Sequence, residues 1–190
     1  MRSIIGRFGA LGVLPMVLAG LLVSQSQAAD PSGAAKAYFA GGCFWCMEEV
    51  FEKVPGVTAV VSGYMGGRVE HPSYEQVSAG GTGHAESVEV VYDPAKASYT
   101  TLLDAFWHNV DPVTPNAQFC DHGSQYRSVI FYQGEEQKRL AEESKRAIEQ
   151  SQRLTQPIVT ELTKASQFYP AEEYHQDFYK KNPIRYKFYK

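Results

Sequence analysis

The chain has 190 residues, 44% of them hydrophobic, 21% charged and 13% aromatic, with a formal charge of −3 and three cysteines. That is enough chain for one globular core, and the composition excludes a disordered, collagen-like or coiled-coil chain. The acidic balance gives no nucleic-acid footprint, and three cysteines exclude a disulfide-dense scaffold.

Arg2 and Arg7 precede a charge-free apolar run over residues 8–23, which ends in small residues at Ser26 and Ala28. The run is short for a membrane span, which needs about 20 apolar residues. A positive start, a short apolar middle and a small-residue end describe a secretory signal peptide over 1–28. The remaining 29–190 is expected to be one exported domain, periplasmic, monomeric, and without stable membrane insertion once the signal is cleaved. An uncleaved anchor is the alternative.

Residues 36–40 (KAYFA) predict a strand, broken by Gly41-Gly42. A helix is expected over 43–53, with Phe44, Met47, Val50 and Phe51 on one face, ended by Pro55-Gly56. Residues 57–64 are β-branched and strand-like. The Gly/Pro/Ser-rich stretch 65–83 reads as loop, with a helical turn over 74–78. Alternation over 86–92 predicts a strand, stopped by Asp93-Pro94. Residues 100–110 predict a helix, 111–123 a loop and 126–132 a strand. A long polar helix is expected over 135–153, with Leu140, Ala141, Ser144, Ala147 and Ile148 as its buried stripe and a Glu142–Arg146 pair. Residues 157–162 can supply a last strand, and the C-terminal 25 residues are aromatic and basic without a period. Strands alternating with helices imply an α/β (α+β) two-layer sandwich, one sheet with helices packed on it.

The sharpest local signal is Gly41-Gly42-Cys43-Phe44-Trp45-Cys46. Cys43 is expected in the first turn of a helix, where the unpaired N–H groups and the dipole favour a thiolate. Cys46, three residues on, shares its face and is near enough for a disulfide. The pair reads as redox or nucleophilic. A zinc site would need a second ligand pair, and the histidines (71, 84, 108, 122 and 175) are scattered, so no metal is expected. An inert structural disulfide would close too small a loop to stabilise much. Along the strand 86–92, Glu86 shares a face with Val88, Val90 and Tyr92. A carboxyl on an apolar face keeps its proton near neutrality and is a candidate general acid. At a strand end it can equally well reach solvent.

These residues belong to a longer series: GCFW, then GYMGG, HPSYEQV, GTGHAESVEVVYDP, QFCDHGSQYRSVIFY and YHQDFYKKNP, in order from about Lys36 to Pro183. The series resembles peptide methionine sulfoxide reductase of the A class. The resemblance implies a mixed sheet with a ferredoxin-like core. It implies Cys43 as the nucleophile on the sulfoxide sulfur and Glu86 as the proton donor to its oxygen. Tyr74 and Tyr126 would hydrogen-bond that oxygen, Phe44 and Trp45 would wall a pocket for the methyl group, and Asp121 would lie beside the site. The class acts on the S epimer of methionine sulfoxide, free or in polypeptides, with no cofactor beyond an external dithiol. The commonest family pattern has glycine where Cys46 stands and resolving cysteines in the tail. This tail has none, so Cys46 is expected to resolve a Cys43 sulfenic acid into a disulfide, recycled by a thioredoxin-like reductant. Cys120 reads as a second resolver or as a small buried residue.

Two other functions fit parts of the sequence. A thioredoxin-type disulfide oxidoreductase also carries a helix-start CxxC, but would leave Glu86 and the tyrosines unused. A binding module could use the aromatic and basic tail over 168–190 as a stacking platform. The acidic chain argues against nucleic acid as its partner, and aromatics anchoring the tail over the core is the favoured alternative.

Overall fold

The computed structural model describes residues 33–189, so the expected signal peptide lies outside the described residues. The strands are β1 (Ala35–Gly41), β2 (Val57–Met65), β3 (Ala85–Tyr92), β4 (Ala117–Gln118), β5 (Asp121–His122), β6 (Ser128–Tyr132), β7 (Glu161–Lys164) and β8 (Tyr169–Pro170). The helices are α1 (Phe44–Glu52), α2 (Tyr74–Ser78), α3 (Tyr99–Trp107), α4 (Gly134–Gln150), α5 (Phe178–Lys181) and α6 (Pro183–Tyr189). Single 3-10 turns form at Ser124–Tyr126 and Glu173–His175.

Six strands form one sheet in the order β7-β6-β1-β3-β2-β8. Its centre, β6-β1-β3-β2, is antiparallel throughout, and only the β6–β7 pair is parallel. With α1 between β1 and β2 and α3 between β3 and β6, this is the ferredoxin-like β-α-β-β-α-β arrangement inside a mixed sheet, as expected.

Alternation divides β1 between two cores. Ala37 and Phe39 face the helices, with Phe44, Met47 and Phe51 of α1, Leu102, Leu103 and Phe106 of α3 and Ala141 of α4. Phe39 stacks on Phe51 at 4.8 Å and on Phe106 at 5.4 Å, so one ring seats both crossover helices. Tyr38 and Ala40 face the other way, joining Met65, Ala85, Val129 and Phe131, with Ala165 and Phe168 packed over them. Ala165 and Phe168 thus cover part of the face that the helices leave open.

Several local expectations shift. Cys43 is the residue before α1, not inside its first turn. Tyr126 belongs to a 3-10 turn and β6 starts two residues later. Residues 111–123 contain the two-residue β4–β5 hairpin. The strand expected over 157–162 forms at Glu161–Lys164. On α4, Gln137 and Ala141 are the buried residues while Ala147 is exposed. Gln137 is held by hydrogen bonds from the Gln133 N–H and to the Lys36 carbonyl, which polarity patterning cannot reveal. The helix's ion pairs centre on Arg139 with Glu136 and Glu143, and not on Glu142–Arg146, among the described residues.

Gly42 sets the geometry of the turn from β1 into α1. Its φ is +88°, and a Cβ there would stand 2.6 Å from the Gln118 Cβ. Gln118 cannot easily yield, because its amide bonds both the N–H and the C=O of Asp111. Gly42→Ala is therefore expected to destabilise the fold by about 1–3 kcal/mol from backbone strain alone, read as a lower thermal midpoint; an unchanged midpoint would show that the turn relaxes freely.

Candidate functional site

Seven residues singled out from the sequence line one small cavity of about 50 Å³: Cys43, Phe44, Trp45, Tyr74, Glu86, Asp121 and Tyr126. They arrive from five places in the chain. Cys43, Phe44 and Trp45 come from the start of α1, Tyr74 from the start of α2, Glu86 from the start of β3, Asp121 from β5 and Tyr126 from the 3-10 turn.

Cys43 is the N-cap of α1, and its carbonyl accepts from the N–H groups of Cys46 and Met47. Its sulfur therefore stands at the helix end whose N–H groups and dipole favour negative charge. Cys43 is 6% exposed. The three cysteines are present as thiols.

Glu86 resolves the choice left open by alternation: it is 2% exposed and does not reach solvent. Its Oε2 accepts from the Phe44 N–H at 3.1 Å, one of the four helix-start donors that lack an intrahelical partner. Burial pushes its carboxyl up to about 8; the Phe44 N–H opposes this, and the charges of Asp121 and Cys46 reinforce it. At neutral pH Glu86 is thus mainly a carboxylic acid. With one oxygen accepting from Phe44, the other can carry a proton toward the cavity.

Burial also raises the Tyr74 and Tyr126 phenols, and Glu86 adds to both. Both hydroxyls keep their protons and are donors at neutral pH. Ser73 caps α2 by accepting from the Gln76 N–H, while the Gln76 side chain accepts from the Ser73 N–H. This capping box holds Tyr74 at the first helical position. Phe44 is fully buried, and Trp45 stacks flat on Phe178 of α5, 3.7 Å between ring centres.

Three contributors went unrecognised in the sequence. Glu172 accepts from the Tyr64 hydroxyl and from the Tyr74 N–H, each at 2.9 Å, and so joins β2 to the start of α2. His175 is buried among Phe44, Trp45 and Tyr74, and its Nδ1 accepts from the Trp45 Nε1–H at 3.2 Å. Burial lowers its pKa, more than the nearby Glu172 raises it, so the ring is neutral with its proton on Nε2. Phe178 is the third. His175 and Phe178 lie in the YHQDFYKKNP stretch, the one signal that could have found them.

A larger cavity of about 350 Å³ adjoins the first, sharing Cys43 and Asp121 and adding Cys46, His108, Gln118, Phe119 and Cys120. It brings all three cysteines to one opening. Cys120 is exposed, so it is not the buried small residue that was one of its two readings. Phe119 beside it is 77% exposed, with φ +53°.

The arrangement offers a sulfur nucleophile at a helix start, a neutral carboxylic acid, two phenol donors and an apolar wall around one small volume. The peptide methionine sulfoxide reductase family matches residues 35–190. A protein of Ligilactobacillus salivarius called peptide methionine sulfoxide reductase MsrA is 55% identical over 150 residues, 79% of this chain and 87% of its own. Among solved structures, methionine sulfoxide reductase A of Corynebacterium diphtheriae is 32% identical with a TM-score of 0.73, covering 86% of this chain and 81% of that one. Mxr1 from Saccharomyces cerevisiae in reduced form is 31% identical with a TM-score of 0.76, covering 86% and 94%. The chain belongs to the peptide methionine sulfoxide reductase family, A class.

Proposed function

We propose that this enzyme, a thiol-dependent methionine sulfoxide reductase by family, works by the following division of labour. The substrate is the S epimer of methionine sulfoxide, free or within a polypeptide. Cys43 supplies the sulfur nucleophile and Glu86 the proton. Tyr74 and Tyr126 donate hydrogen bonds to the sulfoxide oxygen, and Phe44 and Trp45 enclose the methyl group. Asp121 helps keep Glu86 protonated through its charge.

The chemistry follows from the leaving group. A sulfoxide oxygen departs poorly until protonated, so nucleophile and acid must act together. The Cys43 sulfur attacks the sulfoxide sulfur while Glu86 protonates the oxygen. The Cys43–substrate S–S bond forms as the S–O bond breaks, the oxygen taking one proton from Glu86 and one from solvent and leaving as water. A water then attacks the Cys43 sulfur, the S–S bond breaks, methionine departs and Cys43 is left as sulfenic acid. Cys43 is thereby oxidised by two electrons and the substrate sulfur is reduced to the thioether of methionine. Cys46 then condenses with the sulfenic acid, releasing water and forming a Cys43–Cys46 disulfide. A thioredoxin-like dithiol restores both thiols by exchange. The observation that carries this reading is the Glu86 carboxyl, buried beside Cys43 and held through one oxygen by the Phe44 N–H. Disulfide exchange breaks no S–O bond and so has no departing oxygen to protonate.

The signal-like residues 1–28 support export, and the role proposed is that of a periplasmic monomer that repairs oxidised exported proteins.

In steady-state assays with dithiothreitol and methionine sulfoxide, Cys43→Ser is expected to abolish turnover. Cys46→Ser should retain one turnover and lose recycling by thioredoxin. Full activity in Cys43→Ser, or insulin disulfide reduction without sulfoxide reduction, would overturn the assignment.

The acid works only while protonated, and its pKa is raised, so kcat/KM should fall as pH rises through about 8. Glu86→Gln should abolish that limb and lower kcat/KM roughly 10²–10⁴-fold, the usual contribution of a positioned acid. An alkaline limb that persists in Glu86→Gln would assign the titration to another group.

Mass spectrometry of the exported product should find Ala29 as its first residue. An intact Met1 in the purified envelope protein would mark the apolar run as an anchor.

A further inference from the structure

Recycling needs a surface that the sulfoxide chemistry does not. A reductant opens a Cys43–Cys46 disulfide by bringing its own sulfur onto one of the two. Cys43 is 6% exposed and Cys46 is only half-buried, so Cys46 offers the sulfur that can be reached. Attack there also releases Cys43, whose thiolate stands at the start of α1 and is the better leaving group. The way in is the cavity of about 350 Å³, which Cys46 lines, and not the smaller one, which it does not.

Phe119 stands on the rim of that cavity. Among the described residues Phe119, Val159, Tyr174, Ile184 and Phe188 are the large apolar side chains left exposed, and of these Phe119 is the one that lines either cavity at the cysteines. Its place is built. Phe119 and Cys120 form the turn of the β4–β5 hairpin, in which Ala117 lies opposite His122 and Gln118 opposite Asp121. Gln118 is buried and tied to the backbone of Asp111, and the Gly123 N–H closes the base of the hairpin on the Asn116 carbonyl at 2.8 Å. Asp121 lines both cavities. Both strands are thus held at the site while the tip turns its ring to solvent. The ring is carried at φ +53°, a left-handed conformation that a bulky side chain rarely adopts and that marks functional positions. The cavity lining contains no lysine or arginine, and Asp121 is its single carboxylate.

Resting on the reading of Cys46 as the resolving cysteine and of a thioredoxin-like protein as the reductant, we propose that Phe119 is the docking contact for that reductant, its ring covered by an apolar patch around the reductant's attacking cysteine. A protein that brings a sulfur to Cys46 through this cavity must cover the rim, so the ring leaves water as the two sulfurs meet. Covering it is favourable only for an apolar surface, and the rim presents no basic group to draw an acidic one. The exchange then runs in two steps. The reductant's thiolate attacks the Cys46 sulfur, a mixed disulfide forms, the Cys43–Cys46 bond breaks and Cys43 leaves as a thiolate. The reductant's second thiolate attacks its own first sulfur, the mixed disulfide breaks and Cys46 leaves, taking a proton from solvent. Two electrons pass from the dithiol to the enzyme, and the reductant departs as its own disulfide. A small dithiol reaches Cys46 without covering the ring, which separates docking from chemistry.

Turnover of free methionine sulfoxide by the full-length enzyme is measured with two reductants: dithiothreitol, and a bacterial thioredoxin kept reduced by its reductase and NADPH. Phe119→Ser should lower kcat/KM for thioredoxin about ten- to a hundredfold, the scale of leaving one aromatic side chain in water, and leave dithiothreitol-driven turnover unchanged. Phe119→Leu, which keeps an apolar side chain, should restore most of the thioredoxin rate. An unchanged kcat/KM for thioredoxin in Phe119→Ser overturns the proposal. An equal loss with dithiothreitol overturns it as well, because the ring then serves the chemistry or the fold. A peptide containing methionine sulfoxide, reduced with dithiothreitol, forms a third arm: a loss confined to that arm assigns the ring to the polypeptide substrate instead. The underlying reading is tested apart from Phe119. A thioredoxin whose second cysteine is replaced by serine should be trapped on Cys46 of the oxidised wild-type enzyme, as located by mass spectrometry. Trapping on Cys120, or a wild type that accepts dithiothreitol but not thioredoxin, removes that reading and the docking contact with it.

Discussion

The bond from the Phe44 N–H to Glu86 Oε2 holds the site together. It joins the first turn of α1 to the first residues of β3, 42 positions apart. A helix start presents donors that must find acceptors, and a buried carboxyl needs a donor to offset its desolvation. Each satisfies the other. The same contact decides which oxygen of Glu86 accepts, and so which can carry the proton. It also fixes the distance between acid and sulfur, because Cys43 is the residue immediately before Phe44. The antiparallel β1–β3 pairing beneath, with Phe39 opposite Val88, keeps the two elements in register.

The C-terminal residues complete what this contact begins. Glu172 ties Tyr64 to the start of α2, which carries Tyr74. His175 and Phe178 pack against Trp45 from the outside. The Asp177 N–H donates to the buried Glu48, and Lys180 pairs with both Glu52 and Asp177, so α5 is fastened along α1. Burial pushes Glu48 up to about 7, so α1 carries a titrating carboxyl in addition to Glu86 of β3. One helix therefore carries the nucleophile at its start, the second cysteine one turn on, and the anchorage of the tail on its flank. The stretch that read as a stacking platform is partly engaged inward, with Phe178 and Tyr186 buried and Tyr174 and Phe188 exposed.

Much of the fold and of the site was legible for physical reasons that act locally. β-branched alternation marked β2 and β3, apolar spacing marked α1 and α3, and Gly41-Gly42 marked the turn between β1 and α1. The seven cavity residues were legible mainly because their motifs recur in a known order, since nothing local to Tyr74, Asp121 or Tyr126 speaks of a sulfoxide. Local pattern failed where a polar side chain is buried to satisfy backbone groups. Gln137 on α4 and Gln118 at the larger cavity both look like surface residues. Gln137 bonds the Gln133 N–H and the Lys36 carbonyl of β1, and Gln118 bonds the backbone of Asp111 seven residues before it. Alternation put Glu86 on the apolar face but could not say whether the strand end is covered.

The sequence by itself determined the elements, the turn that presents Cys43, the acid's face of its strand and the family. These depend on periodicity, backbone freedom and residue chemistry within a short span. Only the tertiary structure decided that Glu86 is buried and bonded to Phe44, that Cys120 is exposed at the cavity with Cys43 and Cys46, and that Tyr186 of α6 bonds Glu49 of α1. Those facts depend on segments more than 40 residues apart being brought within hydrogen-bonding distance, and the desolvation that sets a carboxyl's or phenol's charge exists only once those segments have packed.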